Sequence, residues 1–274
     1  MSNTYLSVVI PAYNEEKRLP ETLKKVRAYF GNRTSTSKVA VEVIVVNDGS
    51  TDETASVVTE LIGNWPEAKL ISYDQNRGKG YAVKTGMLAA QGQWRLLMDA
   101  DGSTDISEVE KLLKFTCHSE RSEESVADAA SRTSREIPRQ TRDDGRGDIY
   151  EIIIGSRYLD KKSIKIKQPL SRRIVSRLGN IIVRIVLGIK SVDTQCGFKL
   201  FSSEATEKIF PKQTIERWGF DVEILAIALK LGYKIKEVPV DWFDAEGSLV
   251  KKTAIFKTLK EIWQVKINLI KGRY

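Results

Sequence analysis

The sequence predicts an α/β fold with a mainly parallel sheet, and three observations support this prediction. Short apolar runs alternate with segments of helical periodicity between Ser7 and Met98. Each apolar run has the length of a buried strand and ends at polar or glycine-containing residues. The chain has 274 residues, of which 41% are hydrophobic, and this is enough for a packed core. Strands that alternate with helices form parallel sheets that are covered on both faces.

The amino-terminal part is predicted to contain four strands and the helices that connect them. The strands span residues 7–10, 41–46, 68–73 and 94–98, and two of the helices span residues 15–30 and 78–90. Ser50 or Thr51 is expected to cap the helix after the second strand, because a hydroxyl oxygen can accept one of its first backbone N–H groups.

Residues 116–148 interrupt this alternation. The segment is rich in Ser, Arg, Glu and Asp, and it has few apolar residues and no periodicity. Such a composition cannot bury enough apolar surface to offset the entropy of ordering the chain. We interpret it as a disordered or loosely folded surface insertion, with Cys117 and His118 as bystanders.

The carboxy-terminal part resumes the folded pattern. It is predicted to contain strands at residues 150–154 and 236–240, helices at 171–188 and 220–230, and a turn-like motif at 193–199. We divide the chain into a domain of residues 1–248 and a basic amphipathic helix of residues 249–274.

One face of that last helix is apolar and contains Phe256, Leu259, Trp263, Ile267 and Ile270. Lysines surround this face. A helix of this kind can lie in a membrane interface, or it can pack on the domain with lysine stems along its edges. The sequence leaves both alternatives open.

The composition narrows the function classes. The net charge of +8 suits an anionic partner such as a nucleotide, a phosphorylated substrate or an anionic membrane surface. One histidine and two cysteines argue against a His-rich zinc site, a Ser-His-Asp hydrolase and a disulfide framework. Any metal should therefore be a hard cation with oxygen ligands. Basic and aromatic residues do not alternate as in known nucleic-acid modules, so no nucleic-acid partner is expected.

The sequence also bears on location. Its beginning does not have the pattern of a signal peptide, and no apolar run reaches the roughly 20 residues that a spanning helix needs. The few cysteines fit a reducing compartment. We expect a cytoplasmic protein that is peripheral on the cytoplasmic face of a membrane. The sequence does not set an oligomeric state.

The segment Asp99-Ala100-Asp101 directly follows the fourth predicted strand. Mg²⁺ prefers a few carboxylates together with substrate phosphates and water, and two aspartates plus a diphosphate meet that need. Polar motifs also follow the other strands, at residues 11–15, 47–52 and 76–80. Open α/β sheets bind ligands along this edge.

The glycine-rich motif Asn76-Arg77-Gly78-Lys79-Gly80 has two explanations. It is neither a Walker A loop nor a Gly-x-Gly-x-x-Gly fingerprint, and a tight strand-to-helix turn alone would explain its glycines. Lys79 and the helix amino terminus would nevertheless favour a phosphate group. Both explanations remain open.

The order and spacing of these four motifs strongly resemble family 2 glycosyltransferases with the GT-A fold, a Rossmann-like fold that binds nucleotide sugars. The resemblance covers nearly the whole chain except residues 116–148. It implies that the donor site includes the residues Pro11, Ala12, Tyr13, Glu15, Asp48, Lys79, Asp99 and Ala100. Of these, Asp48 would bond the edge of the base. Asp99 and Asp101 would hold Mg²⁺ or Mn²⁺, with Gln195 near the metal.

Motifs in the second half resemble one branch of that family. Gly155-Ser156-Arg157-Tyr158 and residues 169–176 are similar to polyprenyl-phosphate sugar transferases. Residues 193–199 and 218–223 resemble dolichyl-phosphate β-glucosyltransferases. The resemblance implies that the acceptor phosphate is bound by Arg157, Arg172 and Ser176. It further implies inverting transfer of a hexose, glucose, from UDP-glucose to a polyprenyl or dolichyl phosphate.

The chemistry agrees with a phosphate acceptor. A phosphate monoester is largely ionised at neutral pH, so it needs cationic positioning by arginine and no catalytic base. A hydroxyl of a cell-surface polysaccharide or glycolipid is the alternative acceptor, and Asp221 is then the nearest candidate base. A nucleotide-sugar-binding sensor is the alternative outside enzymes.

One departure from the family pattern concerns the membrane. These relatives usually carry an amino-terminal spanning helix, which the printed sequence lacks. Membrane contact is therefore expected from residues 172–188 and from the carboxy-terminal helix.

Overall fold

The structure is a computed structural model. It describes residues 4–31, 40–116, 150–160, 163–164, 179–180, 182–243 and 254–274, with side chains in the last range from Lys257 onward. The insertion predicted at 116–148 lies outside the described residues except for Thr116. Arg172 and Ser176 lie outside them as well.

In the described part of the chain, seven strands form one sheet. They are β1 (Leu6–Ala12), β2 (Val41–Asp48), β3 (Ala68–Tyr73), β4 (Trp94–Met98), β5 (Ile152–Ser156), β6 (Phe198–Ser202) and β7 (Ile235–Pro239). Their order across the sheet is β3-β2-β1-β4-β6-β5-β7. All run parallel except β6, which is antiparallel to β4 and β5. The prediction of a mainly parallel sheet is confirmed.

Residues 182–187 are helical, and seven further α-helices flank the sheet within the described ranges. They are α1 (Leu19–Gly31), α2 (Thr54–Ile62), α3 (Lys79–Ala89), α4 (Val109–Leu113), α5 (Ser203–Ile209), α6 (Phe220–Lys230) and α7 (Ala254–Ile270). Side chains alternate between the two sides of a strand, so each strand contributes residues to the hydrophobic cores on both faces of the sheet. Val8 and Ile10 of β1 belong to the core that also contains residues of α1, α2 and α4, whereas Val9 belongs to the core that contains residues of α3, α5, α6 and α7. Both faces of the sheet are covered, as predicted.

Strand β6 was not predicted. The sequence pattern predicts a turn at residues 193–199, but the chain becomes extended at Phe198 and inserts between β4 and β5. The second residue of this strand is Lys199, a lysine with a fully buried side chain. Lysine is almost never fully buried unless it is paired, so it interrupts the apolar run by which a buried strand is usually found.

The predicted cap of α2 is wrong. The helix begins at Thr54, whose backbone N–H donates to Asp52 Oδ1 at 3.0 Å. Ser50 Oγ instead accepts the backbone N–H of Asn14, at 3.0 Å. The hydroxyl therefore connects two loops rather than starting a helix.

Helix α7 packs on the domain mainly through a different face from the apolar one described above, although Leu259 of that face also packs against the core. Its buried residues are Ile262, Val265 and Asn268. Trp263, Ile267 and Ile270 share a face as predicted, and all three are exposed. Within the described residues, none of the helices combines the length and the apolar character needed to cross a membrane. The domain boundary at residue 248 stays a prediction.

Candidate active site

The sequence-predicted motifs meet at one edge of the sheet. The carboxyl ends of the parallel strands β1, β2, β4 and β5 lie at the same edge as the amino end of the antiparallel strand β6. Segments 11–15, 47–52 and 99–101, together with Arg157, leave the sheet there. Residues 193–197 lead into β6 at this edge. Topology thus brings together side chains that are far apart in sequence.

The loops after β1 and β2 are joined by hydrogen bonds. Asn14 adopts a left-handed conformation with φ of 54°, which asparagine tolerates better than most residues. Its Oδ1 accepts the backbone N–H of Thr51 at 2.9 Å, and the N–H of Glu15 donates to Thr54 Oγ1 at 2.8 Å. Pro11 and Ala12 are buried at the end of β1, while Tyr13 is exposed. The joined loops hold Tyr13 and Glu15 at the edge.

Asp48 holds the glycine-rich turn in place. Its carboxylate accepts the backbone N–H groups of Arg77 and Gly78 and the side-chain amide of Asn76, each at 2.8 Å. Each carboxylate oxygen can accept more than one hydrogen bond, so these contacts leave acceptor capacity. The predicted contact between Asp48 and the base of a nucleotide remains a prediction.

The glycines of this turn have a structural reason. Gly78 has φ of 114°, a conformation that side-chain-bearing residues rarely adopt. A Cβ on Gly78 would lie 2.5 Å from the carbonyl oxygen of Glu216, and one on Gly80 would lie 2.6 Å from that of Ile215. The segment at residues 213–219 therefore packs directly against the start of α3.

Lys79 lies beside the acidic pair. Its Nζ is 2.7 Å from Asp99 Oδ1. Burial alone would lower the pKa of Lys79, but the charges of Asp99 and Asp221 outweigh it and raise the pKa above its ordinary value. Lys79 is therefore a fixed cation at the site. This contact supports the second explanation of the glycine-rich motif without excluding the first.

The acidic pair is anchored on both sides. Asp101 Oδ1 accepts the backbone N–H of Ser103 at 2.9 Å, and the hydroxyl of Thr22 on α1 donates to the carbonyl oxygen of Ala100 at 2.9 Å. The backbone N–H of Asp99 donates to the carbonyl oxygen of Gly197 at 3.1 Å. These bonds fix the turn that presents the two carboxylates.

Gly197 makes room for Asp99. A Cβ at this position would lie 1.9 Å from Asp99 Oδ2, so any larger residue would displace the carboxylate. Gln195, two residues earlier, is exposed. The loop that carries Gln195 thus contacts the acidic pair, while a role of Gln195 toward a metal stays a prediction. Gly197 is not among the site residues predicted from the sequence.

Arg18 is a second cation near the acidic pair, and it is not among the site residues predicted from the sequence. Its Nε donates to Glu15 Oε2 at 2.7 Å. Burial raises the pKa of Glu15, Arg18 opposes the rise, and the nearby charges of Asp101 and Asp99 add to it. The three-residue spacing of Glu15 and Arg18 at a helix start was the only available signal.

The residues present fit a divalent metal only together with a substrate. Within the described ranges, no group of three or more His, Cys, Asp or Glu side chains could hold a metal ion. Asp99 and Asp101 can supply one or two carboxylates, and phosphate oxygens and water would complete the coordination. Mg²⁺ in nucleotide sites commonly has this ligand set.

Arg157 is held by a buried carboxylate. Its Nε and Nη2 donate to Asp193 Oδ2 and Oδ1, both at 2.7 Å, and Asp193 is fully buried. The ring centroids of Tyr158 and Trp242 lie 5.2 Å and 5.4 Å from the guanidinium carbon of Arg157. The Asp193 charge outweighs burial and raises the pKa of Arg157. A guanidinium has five donors, so this two-pronged bond leaves some for an anion.

Asp221, the candidate base, forms a buried ion pair. Its carboxylate accepts a hydrogen bond from Lys199 Nζ, which also donates to the carbonyl oxygen of Cys196 at 2.6 Å. Burial raises the pKa of Asp221, while the charges of Lys199 and Lys79 lower it. Because Asp221 is almost fully buried, its carboxylate is poorly placed to reach an acceptor hydroxyl.

Residues 7–142 match the family model described as glycosyl transferase family 2. A dolichyl-phosphate β-glucosyltransferase of Dictyostelium discoideum is 35% identical over 99% of this chain and 77% of its own length. The enzyme of that name from Homo sapiens is 34% identical over 98% of this chain and 77% of its own length. This chain is therefore about three quarters as long as these relatives.

Solved structures share the fold. Glucosyl-3-phosphoglycerate synthase from Mycobacterium tuberculosis, crystallised with Mn²⁺, UDP-glucose and phosphoglyceric acid, superposes with a TM-score of 0.62 at 16% identity. The match covers 96% of this chain and 80% of that one. Mannosyl-3-phosphoglycerate synthase from Rubrobacter xylanophilus gives the same score at 13% identity, over 99% and 76% of the two chains. The predicted GT-A fold is confirmed.

Proposed function

Because this chain belongs to glycosyl transferase family 2, we propose that it is an inverting glycosyltransferase that moves glucose from UDP-glucose to a polyprenyl or dolichyl phosphate. One observation carries the proposal. The pair Asp99 and Asp101 meets Lys79 and the loop of Gly197 at one sheet edge, in a chain about one third identical to dolichyl-phosphate β-glucosyltransferases over nearly its whole length.

On the donor side, the proposed binding residues are those of the first four strand ends. Pro11, Tyr13 and Glu15 would cradle the base and ribose, and Asp48 would bond the base edge. Asp99 and Asp101 would hold Mg²⁺ or Mn²⁺, with Gln195 nearby. The metal would stabilise the negative charge of the departing diphosphate. Lys79, a fixed cation beside Asp99, would add to this stabilisation.

The reaction balances without a catalytic base. An oxygen of the acceptor phosphate attacks the anomeric carbon of glucose in line with the bond to the nucleotide. The new carbon–oxygen bond forms as the bond to UDP breaks, and UDP leaves with that electron pair. Attack from the opposite side inverts the anomeric configuration. The acceptor oxygen is already ionised near neutral pH, so no proton has to be removed.

On the acceptor side, we propose that Arg157, Arg172 and Ser176 bind the phosphate. Asp193 fixes the guanidinium plane of Arg157, and an oriented guanidinium loses less entropy when it binds an anion. The burial and pairing of Asp221 favour a phosphate acceptor over a hydroxyl acceptor, which would need a base within reach.

The first experiment measures release of nucleoside diphosphate. Purified protein is incubated with UDP-glucose or GDP-mannose, with and without a polyprenyl phosphate, in Mg²⁺, Mn²⁺ or EDTA. We expect UDP release that requires both the lipid phosphate and the metal. A polyprenol without the phosphate is the matched control, and it should release no UDP.

Two outcomes would overturn the proposal. Release with a soluble sugar or a glycolipid hydroxyl, but not with the lipid phosphate, would assign the hydroxyl acceptor. Tight binding of UDP-glucose with no release for any acceptor would indicate a nucleotide-sugar sensor.

A further inference from the structure

Helix α7 has an exposed apolar stripe. Trp263 is 58% exposed, Ile267 is 42% exposed and Ile270 is 74% exposed. Spacings of four and three residues place the three side chains in one line along the helix. Contiguous exposed apolar surface of this kind is typical of an interaction site.

The stripe is not needed to hold the helix on the domain. Ile262, Val265 and Asn268 are almost fully buried and form the packed face. At about 100° per residue, Val265 lies nearly opposite Trp263 on the helix. Anchoring and exposure are therefore assigned to different faces of α7.

Lysines border the stripe on both sides. At about 100° per residue, Lys266 falls on one side, and Lys260 and Lys271 fall on the other. Among residues 257–274, where the side chains of this helix are described, the only acidic residue is Glu261. It lies toward the packed face, where its Oε2 accepts the backbone N–H of Gly219 at 2.6 Å. The exposed arc thus combines apolar and cationic side chains.

We propose that this stripe docks the protein on an anionic lipid surface. The Trp263 ring and the isoleucines would enter the boundary between headgroups and acyl chains, and the lysines would contact lipid phosphates. The inference rests on the proposed function, because a lipid-linked acceptor requires the enzyme to work at a membrane surface.

The docking helix is connected to the candidate site. Gly219, whose N–H donates to Glu261, directly precedes α6 and belongs to the segment that packs against Gly78 and Gly80. At the chain end, the Tyr274 hydroxyl donates to Glu223 Oε1 at 2.6 Å. A surface bound by α7 would therefore be mechanically linked to the turn that carries Lys79.

The test compares two substitutions of equally exposed residues. Ile267→Glu changes the stripe, and Leu88→Glu on α3 is the matched control, because both side chains are 42% exposed. Binding is measured by co-sedimentation with vesicles of phosphatidylcholine containing phosphatidylglycerol. We expect the Leu88→Glu variant to bind like the wild type and Ile267→Glu to bind at least about tenfold more weakly. Binding should also fall with added salt and on pure phosphatidylcholine.

A second readout separates docking from catalysis. With a short-chain, water-soluble polyprenyl phosphate, Ile267→Glu should transfer glucose like the wild type, and with a vesicle-embedded acceptor it should be slower. If neither acceptor is glucosylated but vesicle binding still depends on Ile267, the proposed function is wrong and the docking surface is supported.

Two results would overturn the docking surface. Equal vesicle binding by wild type and Ile267→Glu would do so directly. A dimer in sedimentation equilibrium that Ile267→Glu converts to a monomer would assign the stripe to a second copy of the chain. If circular dichroism shows that Ile267→Glu does not fold, Ile270→Ser replaces it, because Ile270 is the most exposed residue of the stripe.

Discussion

The two sides of the sheet edge are held together in different ways. On the donor side, the loops after β1 and β2 are joined by several hydrogen bonds, and those of Asn14 to residues 50 and 51 involve no charged group. On the other side, buried ion pairs connect residues that are far apart in sequence, Arg157 with Asp193 and Lys199 with Asp221. Loss of one neutral bond leaves the donor loops largely joined, whereas loss of one ion-pair partner leaves a buried charge uncompensated.

The largest effect is expected at Lys199. Lys199→Met should lower the free energy of unfolding by about 3–5 kcal/mol, because Asp221 would remain buried without its counter-charge. Urea denaturation followed by circular dichroism measures this change. Lys208→Met removes an exposed lysine paired with Glu204 and should cost less than about 1 kcal/mol. Similar losses in both variants would show that burial of the Lys199–Asp221 pair does not raise the cost of breaking it.

Gly197 tests whether the two sides share the acidic pair. Gly197→Ala should lower the rate of glucosyl transfer about 100-fold, because the new Cβ displaces the Asp99 carboxylate. Steady-state kinetics with UDP-glucose measure the loss. Gly31→Ala is the control, since a Cβ there meets nothing within 4 Å. Full activity in Gly197→Ala would show that the position of Asp99 is not critical.

A substitution of Arg157 should distinguish binding of the acceptor from binding of the donor. Arg157→Lys keeps the charge but loses the two-pronged bond to Asp193, so the KM for the lipid phosphate should rise about tenfold. The KM for UDP-glucose should stay within about twofold. A change in the donor KM alone would place Arg157 on the donor side.

Tyr274 should show a smaller effect. Tyr274→Phe removes a hydroxyl donor to the buried Glu223 and should cost about 1–2 kcal/mol of unfolding free energy. It should also slow transfer severalfold, because Glu223 holds the backbone of residues 214–215. Tyr29→Phe removes a comparable bond to Glu110, remote from the edge, and should affect stability alone. Equal kinetics in both variants would argue against a positioning role of Tyr274.

The smallest effect is expected at Cys196. Burial, together with the charge of Asp193, raises the pKa of its thiol to about 12. The buried thiol should therefore stay protonated at pH 8 and react with iodoacetamide only after unfolding. Mass spectrometry of a Cys117→Ser variant follows this reaction. Rapid alkylation of the folded protein would contradict the burial of Cys196.

The strands and polar motifs of the proposed donor side could be predicted from the sequence, because local patterns determine them. Strands β3 and β4 have the predicted bounds, since each is an apolar or alternating run with clear ends. The polar motifs lie at the predicted edge because parallel strands share their carboxyl ends. Ser50 shows the limit even here, because its partner lies on another loop.

The contacts on the other side of the sheet edge could not be predicted from the sequence, because they depend on the tertiary fold. When only neighbouring residues are considered, Lys199 predicts an exposed turn. Its pairing with Asp221 is what allows it to lie in a buried strand. In α7, periodicity identified the stripe of Trp263, but it could not show that another face packs on the domain. Arg18 and Gly197 become informative only when the acidic pair is placed beside them.

Transfer of glucose by the wild type and by Asp101→Asn tests the central claim most directly. Asn keeps an oxygen that can accept the Ser103 N–H but removes the charge, so the fold should be retained. With UDP-glucose, Mg²⁺ and a short-chain polyprenyl phosphate, the wild type should form lipid-phosphate-linked glucose with inverted configuration. Asp101→Asn should form it at least about 100-fold more slowly. Equal rates, or no lipid-linked product from a wild type that binds UDP-glucose, would contradict the account.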